Sequence, residues 1–77
     1  MRSVHIKLNS VNSVQKFVAT VSKLEGNFDL HSGNYILDAR SLMGIFTLDL
    51  SKPVKLNVEK DTEETMQALS SFLEENN

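Results

Sequence analysis

The sequence predicts an α+β fold, an open-faced sandwich in which three helices cover one face of a four-stranded antiparallel sheet. Four short segments alternate apolar with polar residues, which is the period of a strand with one buried face. Three other segments carry capping residues or apolar residues at helical spacing. In chain order the segments read βαββαβα, and the length of 77 residues predicts a single domain spanning residues 1–77.

The first strand passes directly into the first helix. Residues 4–8 alternate strictly, with Val, Ile and Leu on the side predicted to be buried. From Ser10 the apolar period becomes helical, so Asn9 or Ser10 is the expected N-cap and Gly26 the expected stop. The predicted apolar stripe of this helix consists of Val11, Val14, Phe17, Val18, Val21 and Leu24.

A hairpin and a short helix come next. Residues 28–31 alternate again, the tripeptide 32–34 has the composition of a turn, and residues 35–39 alternate as the returning strand. Ser41 is then placed to cap a short helix that extends to Thr47.

The last strand and the last helix follow a loop in which Pro53 prevents further helix. Residues 54–58 alternate as a strand. Asp61 is the expected N-cap of the last helix, with Glu64 three residues later as in a capping box. The apolar stripe of that helix is Met66, Leu69, Phe72 and Leu73.

The order of elements constrains the topology. A right-handed crossover from the first strand through the first helix leaves room for the fourth strand between the first two strands. All helices then lie on one face of the sheet, and the other face stays open to water. Periodicity by itself also fits a ferredoxin-like domain with an additional helix.

Composition excludes several classes of function. A net charge of −2 argues against binding to duplex nucleic acid, and no apolar run approaches the ~20 residues that span a membrane. The absence of cysteine excludes disulfides and thiolate metal sites. Because the chain enters a strand pattern directly after residues 1–3, no signal peptide is expected and a cytoplasmic protein is predicted.

The segment Arg40-Ser41-Leu42-Met43-Gly44-Ile45-Phe46-Thr47-Leu48 resembles part of the HPr phosphocarrier proteins of the phosphoenolpyruvate:sugar phosphotransferase system. HPr proteins also have the βαββαβα open-faced architecture. The resemblance implies that Ser41 is a candidate for regulatory phosphorylation by HPr kinase/phosphorylase, with Arg40 able to pair with the phosphate. It implies further that Leu42, Met43 and Phe46 form an exposed apolar patch for partner proteins, whereas Ile45 and Leu48 are core candidates.

The chain departs from the HPr pattern before the first helix. The family carries a Gly-Leu-His-x-Arg-Pro loop whose histidine receives the phosphoryl group, but here the residues are Asn9-Ser10-Val11-Asn12-Ser13, in a shorter loop. Phosphoryl transfer needs an imidazole lone pair and donors that hold the phosphate charge. The helix N-terminus with Ser10 and Asn12 remains available for partner contacts. Ser10 and Ser13 are expected to be caps, because a hydroxyl without a neighbouring base is a poor nucleophile.

The two histidines, His5 and His31, lie on outward positions of strands together with Lys7, Asp29 and Lys55. A His-Asp-His metal site is conceivable on this face. Strand alternation also produces such a grouping by chance, so a solvated face is the preferred interpretation, with no metal or cofactor. Neither histidine corresponds to the phosphorylated position of HPr.

These observations predict a non-enzymatic, regulatory or protein-binding HPr-like module that contacts phosphotransferase-system components or a regulator. One alternative is residual phosphotransfer through Ser10, His5 or His31. The other is an HPr-fold domain recruited outside sugar transport.

Overall fold

The computed structural model describes residues 1–74, and its elements follow the predicted order βαββαβα. A single 3₁₀ turn extends the last helix. The elements are β1 (Arg2–Ile6), α1 (Val11–Val21), β2 (Phe28–Ser32), β3 (Tyr35–Asp38), α2 (Leu42–Ile45), β4 (Val54–Val58), α3 (Glu63–Leu69) and the 3₁₀ turn Ser70–Phe72.

The four strands form one sheet in the order β1-β4-β2-β3, with every neighbouring pair antiparallel. β4 therefore lies between β1 and β2, which confirms the topology predicted from the crossover connection. The buried strand residues face the helices, whereas His5, Asp29 and Lys55 lie on the solvent side. The open-faced sandwich predicted from the sequence is confirmed.

The core is one layer between the sheet and the helices. α1 contributes three fully buried side chains, Val14, Phe17 and Val21, and α3 contributes Leu69. α2 contributes Ile45, and the remaining buried apolar residues come from the strands and from loops at their ends: Ile6, Leu8, Phe28, Leu30, Ala39, Val54, Leu56 and Val58.

Three helix boundaries differ from the prediction. α2 ends at Ile45 with Phe46 as its C-cap and does not extend to Thr47. α1 ends at Val21 with Ser22 as its C-cap, and Gly26 instead turns the chain into β2 with a φ of +90° that favours glycine. α3 is capped by Thr62 and not by Asp61, because the Thr62 hydroxyl accepts the N–H of Thr65 and also donates to the buried Thr65 hydroxyl at 3.1 Å. A cap at Thr62 thus satisfies a buried polar group.

The C-terminal segment covers the free edge of β1. The N–H of Lys7 donates to the carbonyl of Phe72 at 2.8 Å, and the N–H of Glu74 donates to the carbonyl of His5 at 2.9 Å. Leu73 lies between these bonds and bridges to Ile6. Within residues 1–74 no helix is long and apolar enough to cross a membrane.

Candidate functional site

Ser41 caps α2 and is exposed. Its hydroxyl oxygen accepts the N–H of Gly44 at 3.3 Å, as the predicted cap requires. A side chain at position 44 would place its Cβ 2.8 Å from the Ser41 oxygen. Glycine, normally unfavourable in a helix, therefore leaves room for the hydroxyl that caps this one.

The apolar residues of α2 divide between core and surface. Ile45 is fully buried and Leu48 is partly buried, which agrees with their prediction as core residues. Met43 is 78% exposed and Phe46 39% exposed, whereas Leu42 is partly buried against the core. We call Leu42, Met43 and Phe46 the α2 patch. An exposed apolar cluster is typical of a protein-binding surface.

The α2 patch continues toward the start of α1 through a groove of about 380 Å³. Its apolar lining consists of Phe46 and Leu50, from the end of α2 and the loop after it, and of Leu8 and Val11, from around the start of α1. Val11 was predicted to belong to the buried stripe of the first helix, and this is wrong, because it is 62% exposed. As the first residue after the N-cap, it lies at the end of α1, where it borders the groove instead of packing on the sheet.

The N-terminus of α1 is closed by a pair of serines. The Ser13 N–H donates to the Ser10 hydroxyl at 3.0 Å, and the Ser10 N–H donates to the Ser13 hydroxyl at 3.1 Å. The Ser13 hydroxyl in turn donates to the Ser10 carbonyl at 2.8 Å. Ser10 is thus the N-cap, with Ser13 in the reciprocal position of a capping box.

The surface around this helix end is polar. Lys7, Asn12 and Lys16 border a groove of about 730 Å³ beside Ser10 and Ser13, and no histidine lines it. The amide, hydroxyl and ammonium groups can donate hydrogen bonds to a partner. They do not supply the imidazole nucleophile that phosphoryl transfer to histidine needs.

Arg40 has an intramolecular role that its sequence position did not reveal. Its guanidinium donates to the carbonyls of Leu24 and Gly26 at 3.0 and 2.8 Å, and it lies 5.2 Å from the centre of the Phe28 ring. These contacts hold the residue before the N-cap of α2 against the connection between α1 and β2. Pairing with a phosphate on Ser41 would compete with them, so a role of Arg40 in partner binding stays a prediction.

Both histidines lie on the open face of the sheet, on the side away from the helices. His5 and His31 are each opposite Lys55 in the strand register, so a lysine separates them. The Asn57 side-chain amide lies 2.7 Å from Nε2 of His31, and Ser3 donates to the Asn57 carbonyl oxygen. In the described part of the chain, no three His, Asp or Glu side chains are grouped to hold a metal ion.

The loop after α2 contains one carboxylate with an altered proton affinity. Hydrogen bonds from the hydroxyl and the N–H of Ser51 hold the pKa of Asp49 below its usual value. Asp49, in the loop after α2, therefore keeps its negative charge to a lower pH than an ordinary aspartate does.

Comparison with protein-family models and with curated proteins gives no match. Among solved structures, the chain is similar to the crystal structure of HPr-C-His from Thermoanaerobacter tengcongensis, with 32% sequence identity and a TM-score of 0.75. The similarity covers 92% of this chain and 89% of that chain. With this identity over nearly the whole length of both chains, the protein belongs to the HPr family.

Proposed function

We propose that this HPr-family protein is a regulatory or protein-binding component of the phosphotransferase system that does not carry a phosphoryl group on histidine. The observation that supports this most directly is the contrast between two neighbouring surfaces. Met43 and Phe46 are exposed beside an exposed Ser41, as expected for a docking face. The adjacent end of α1 carries Ser10 and Ser13 instead of a histidine.

The docking surface in this proposal extends over two helices. Val11 and Phe46 face the same groove, so the start of α1 and the end of α2 offer a continuous apolar area to a partner. Ser10 and Asn12 add polar contacts at its border. Apolar residues surrounded by polar ones are the usual composition of a protein interface.

Phosphotransfer by another residue has little support. The hydroxyls of Ser10 and Ser13 are engaged in the cap of α1, and no hydrogen bond joins either of them to Glu74, the carboxylate among the described residues that line the groove. His5 and His31 lie on the opposite face of the sheet from the docking surface. A phosphoryl donor that docks on the helices would not reach either imidazole.

Ser41 is the proposed point of regulation. Phosphorylation would add about −1.5 to −2 charges beside Met43. The hydroxyl is exposed and holds a single long cap bond to the Gly44 N–H, so modification need not disrupt the core. The added charge would oppose an acidic partner surface and favour a surface that carries arginine.

Incubation with phosphoenolpyruvate and enzyme I, followed by intact-mass spectrometry, tests the first part of the proposal. An HPr that carries the histidine serves as positive control. We expect no acid-labile phosphoryl adduct on this chain. Ser10→His should gain little transfer, because the shorter loop and Asn12 in place of arginine remain. A stoichiometric adduct on the parent chain would refute the proposal.

Incubation with HPr kinase/phosphorylase and ATP tests the second part. Ser41→Ala, which lacks the hydroxyl, is the matched control. An acid-stable phosphoryl group on the parent and none on Ser41→Ala supports regulation at this residue. An equal extent of labelling in both proteins would contradict it.

A further inference from the structure

The outer edge of β3 carries backbone groups that face away from the sheet. β3 is the last strand in the order β1-β4-β2-β3, and among residues 1–74 it pairs only with β2. The N–H of Ala39 donates to the carbonyl of Phe28, and this bond shows which residues of β3 direct their backbone groups toward β2. Because bonded and non-bonded pairs alternate in antiparallel strands, the N–H and C=O of Ile36 and of Asp38 point outward.

Three of these four groups are left for a further strand. The Asp38 carbonyl accepts the N–H of Ser41, but within residues 1–74 no backbone group outside the sheet bonds to Ile36 or to the Asp38 N–H. The opposite edge of the sheet differs, because the segment of residues 72–74 covers β1 there. One edge is thus protected within the chain while the other remains a template for strand addition.

The side chains along this edge are exposed apolar groups and a carboxylate. Tyr35 and Ile36 are 71% and 66% exposed, although both are large apolar residues. On the open face Ile36 lies opposite His31, and Asp38 lies directly opposite Asp29. Two carboxylates in directly opposite positions repel each other, and a cation on the next strand would offset this repulsion.

We propose that the edge of β3 binds an extended segment of a partner protein as a fifth, antiparallel strand. The segment carries Lys or Arg opposite Asp38 and an aliphatic or aromatic residue opposite Ile36. Because the two strands run in opposite directions, the basic residue precedes the apolar residue by two positions. The Ile36 N–H and C=O and the Asp38 N–H supply three backbone hydrogen bonds, and the side-chain pairs supply selectivity.

A second copy of this chain matches the edge less well. If two β3 strands paired about a two-fold axis with Ile36 opposite itself, Asp38 would lie opposite Asn34 of the other copy. A shift by one pair of residues would place Asp38 opposite Ile36. Neither register brings a cation to Asp38, so charge favours a partner with a basic residue.

The test uses ¹⁵N-labelled protein and a capped peptide of sequence Thr-Lys-Thr-Val-Thr, followed by NMR at low ionic strength. We expect amide shifts at residues 35–38 and slower hydrogen exchange at Ile36 and Asp38. Asp38→Asn keeps the acceptor for the Arg40 N–H and removes the charge, so it should weaken binding about two- to fivefold. A peptide with Glu in place of Lys should bind more weakly still.

Two variants at Ile36 test the backbone pairing and the apolar contact separately. Ile36→Pro removes an outward N–H and leaves the ladder to β2 intact, so it should abolish binding. Ile36→Lys keeps every backbone group but places a charge at the apolar contact, so it should weaken binding. It provides the test if the proline variant fails to fold. Met43→Ser changes an exposed apolar residue on the other surface, and it should bind the peptide as the parent does.

Three results would overturn the proposal. One is peptide-induced shifts at the α2 patch instead of β3, and another is equal affinity for the Lys and Glu peptides. The third is a concentration-dependent dimer of the chain alone that protects Ile36 from exchange, which would identify a second copy as the occupant. None of these results bears on phosphorylation of Ser41, so the proposed function is tested separately.

Discussion

Replacing Phe17 with alanine is expected to lower the free energy of unfolding by about 3–5 kcal/mol. The ring is fully buried on the inner face of α1 and meets Phe72 edge to face, with ring centroids 5.4 Å apart and planes at 78°. Truncation therefore leaves a cavity and deletes an aromatic contact of about 0.5–1.5 kcal/mol. A domain of this length has a total stability of about 4–12 kcal/mol, so the loss is a large fraction of it.

Urea unfolding followed by far-ultraviolet circular dichroism measures this loss. Met43→Ala is the matched control, because most of that side chain is in solvent and its removal should cost less than about 0.5 kcal/mol. A double-mutant cycle of Phe17→Leu and Phe72→Leu isolates the aromatic contact. If Phe17→Ala and Met43→Ala unfolded at the same urea concentration, α1 would not be packed on the sheet as described.

Three further predictions concern the residues around α2. Arg40→Ala should lower the free energy of unfolding by about 1–3 kcal/mol, because two backbone carbonyls lose their hydrogen-bond donor. Arg40→Lys should recover only part of that free energy. Thermal melts of Arg40→Ala that match those of the parent would contradict a stabilising role of Arg40. Ser41→Asp should change the melting temperature little, because aspartate also caps helices, while it alters affinity for the partner in a titration; equal affinities would argue against regulation by charge. Met43→Glu should abolish that binding at a stability cost below about 0.5 kcal/mol, and partner binding that survives in calorimetry would remove the α2 patch as the docking surface.

The parts of the fold that could be predicted from sequence depend on local chemistry. Alternation in residues 54–58 and helical spacing from Val14 to Val21 each report which side of an element is apolar, and the buried residues follow these patterns. Ser41 capped its helix as predicted because the interaction of a serine hydroxyl with an N–H three residues later needs no distant partner.

Local patterns failed where two choices were equally compatible with the sequence. Asp61 and Thr62 are both good capping residues, and the decision depended on a buried hydroxyl at Thr65 that only the packed structure reveals. Val11 has the spacing of the buried stripe of α1, but as the first residue after the N-cap it is exposed, whereas Val14 is fully buried. Periodicity describes which way a residue points and not whether another element covers it.

The candidate site shows the same division. Resemblance in residues 40–48 identified Ser41 and the α2 patch, and the exposure of Met43 and Phe46 is consistent with it. The groove that links this patch to Val11 could not be predicted, because it joins two elements separated along the chain. Gly44 could have been noticed in the sequence, because glycine is unusual within a helix. The reason for it is visible only in the structure, where a side chain at position 44 would collide with the Ser41 hydroxyl.

The order of the elements, the alternation of the strands and the absence of histidine at the start of α1 could be predicted from the chain alone, because they depend on residue type and spacing. Tertiary structure decided that Arg40 bonds to carbonyls 14 and 16 positions away, that residues 72–74 protect β1, and that Ile36 lies on an open edge. Such features depend on which segments meet in space. A guanidinium, a strand edge or an apolar side chain can bond to or pack against many different groups, and only the folded chain determines which of them is its neighbour.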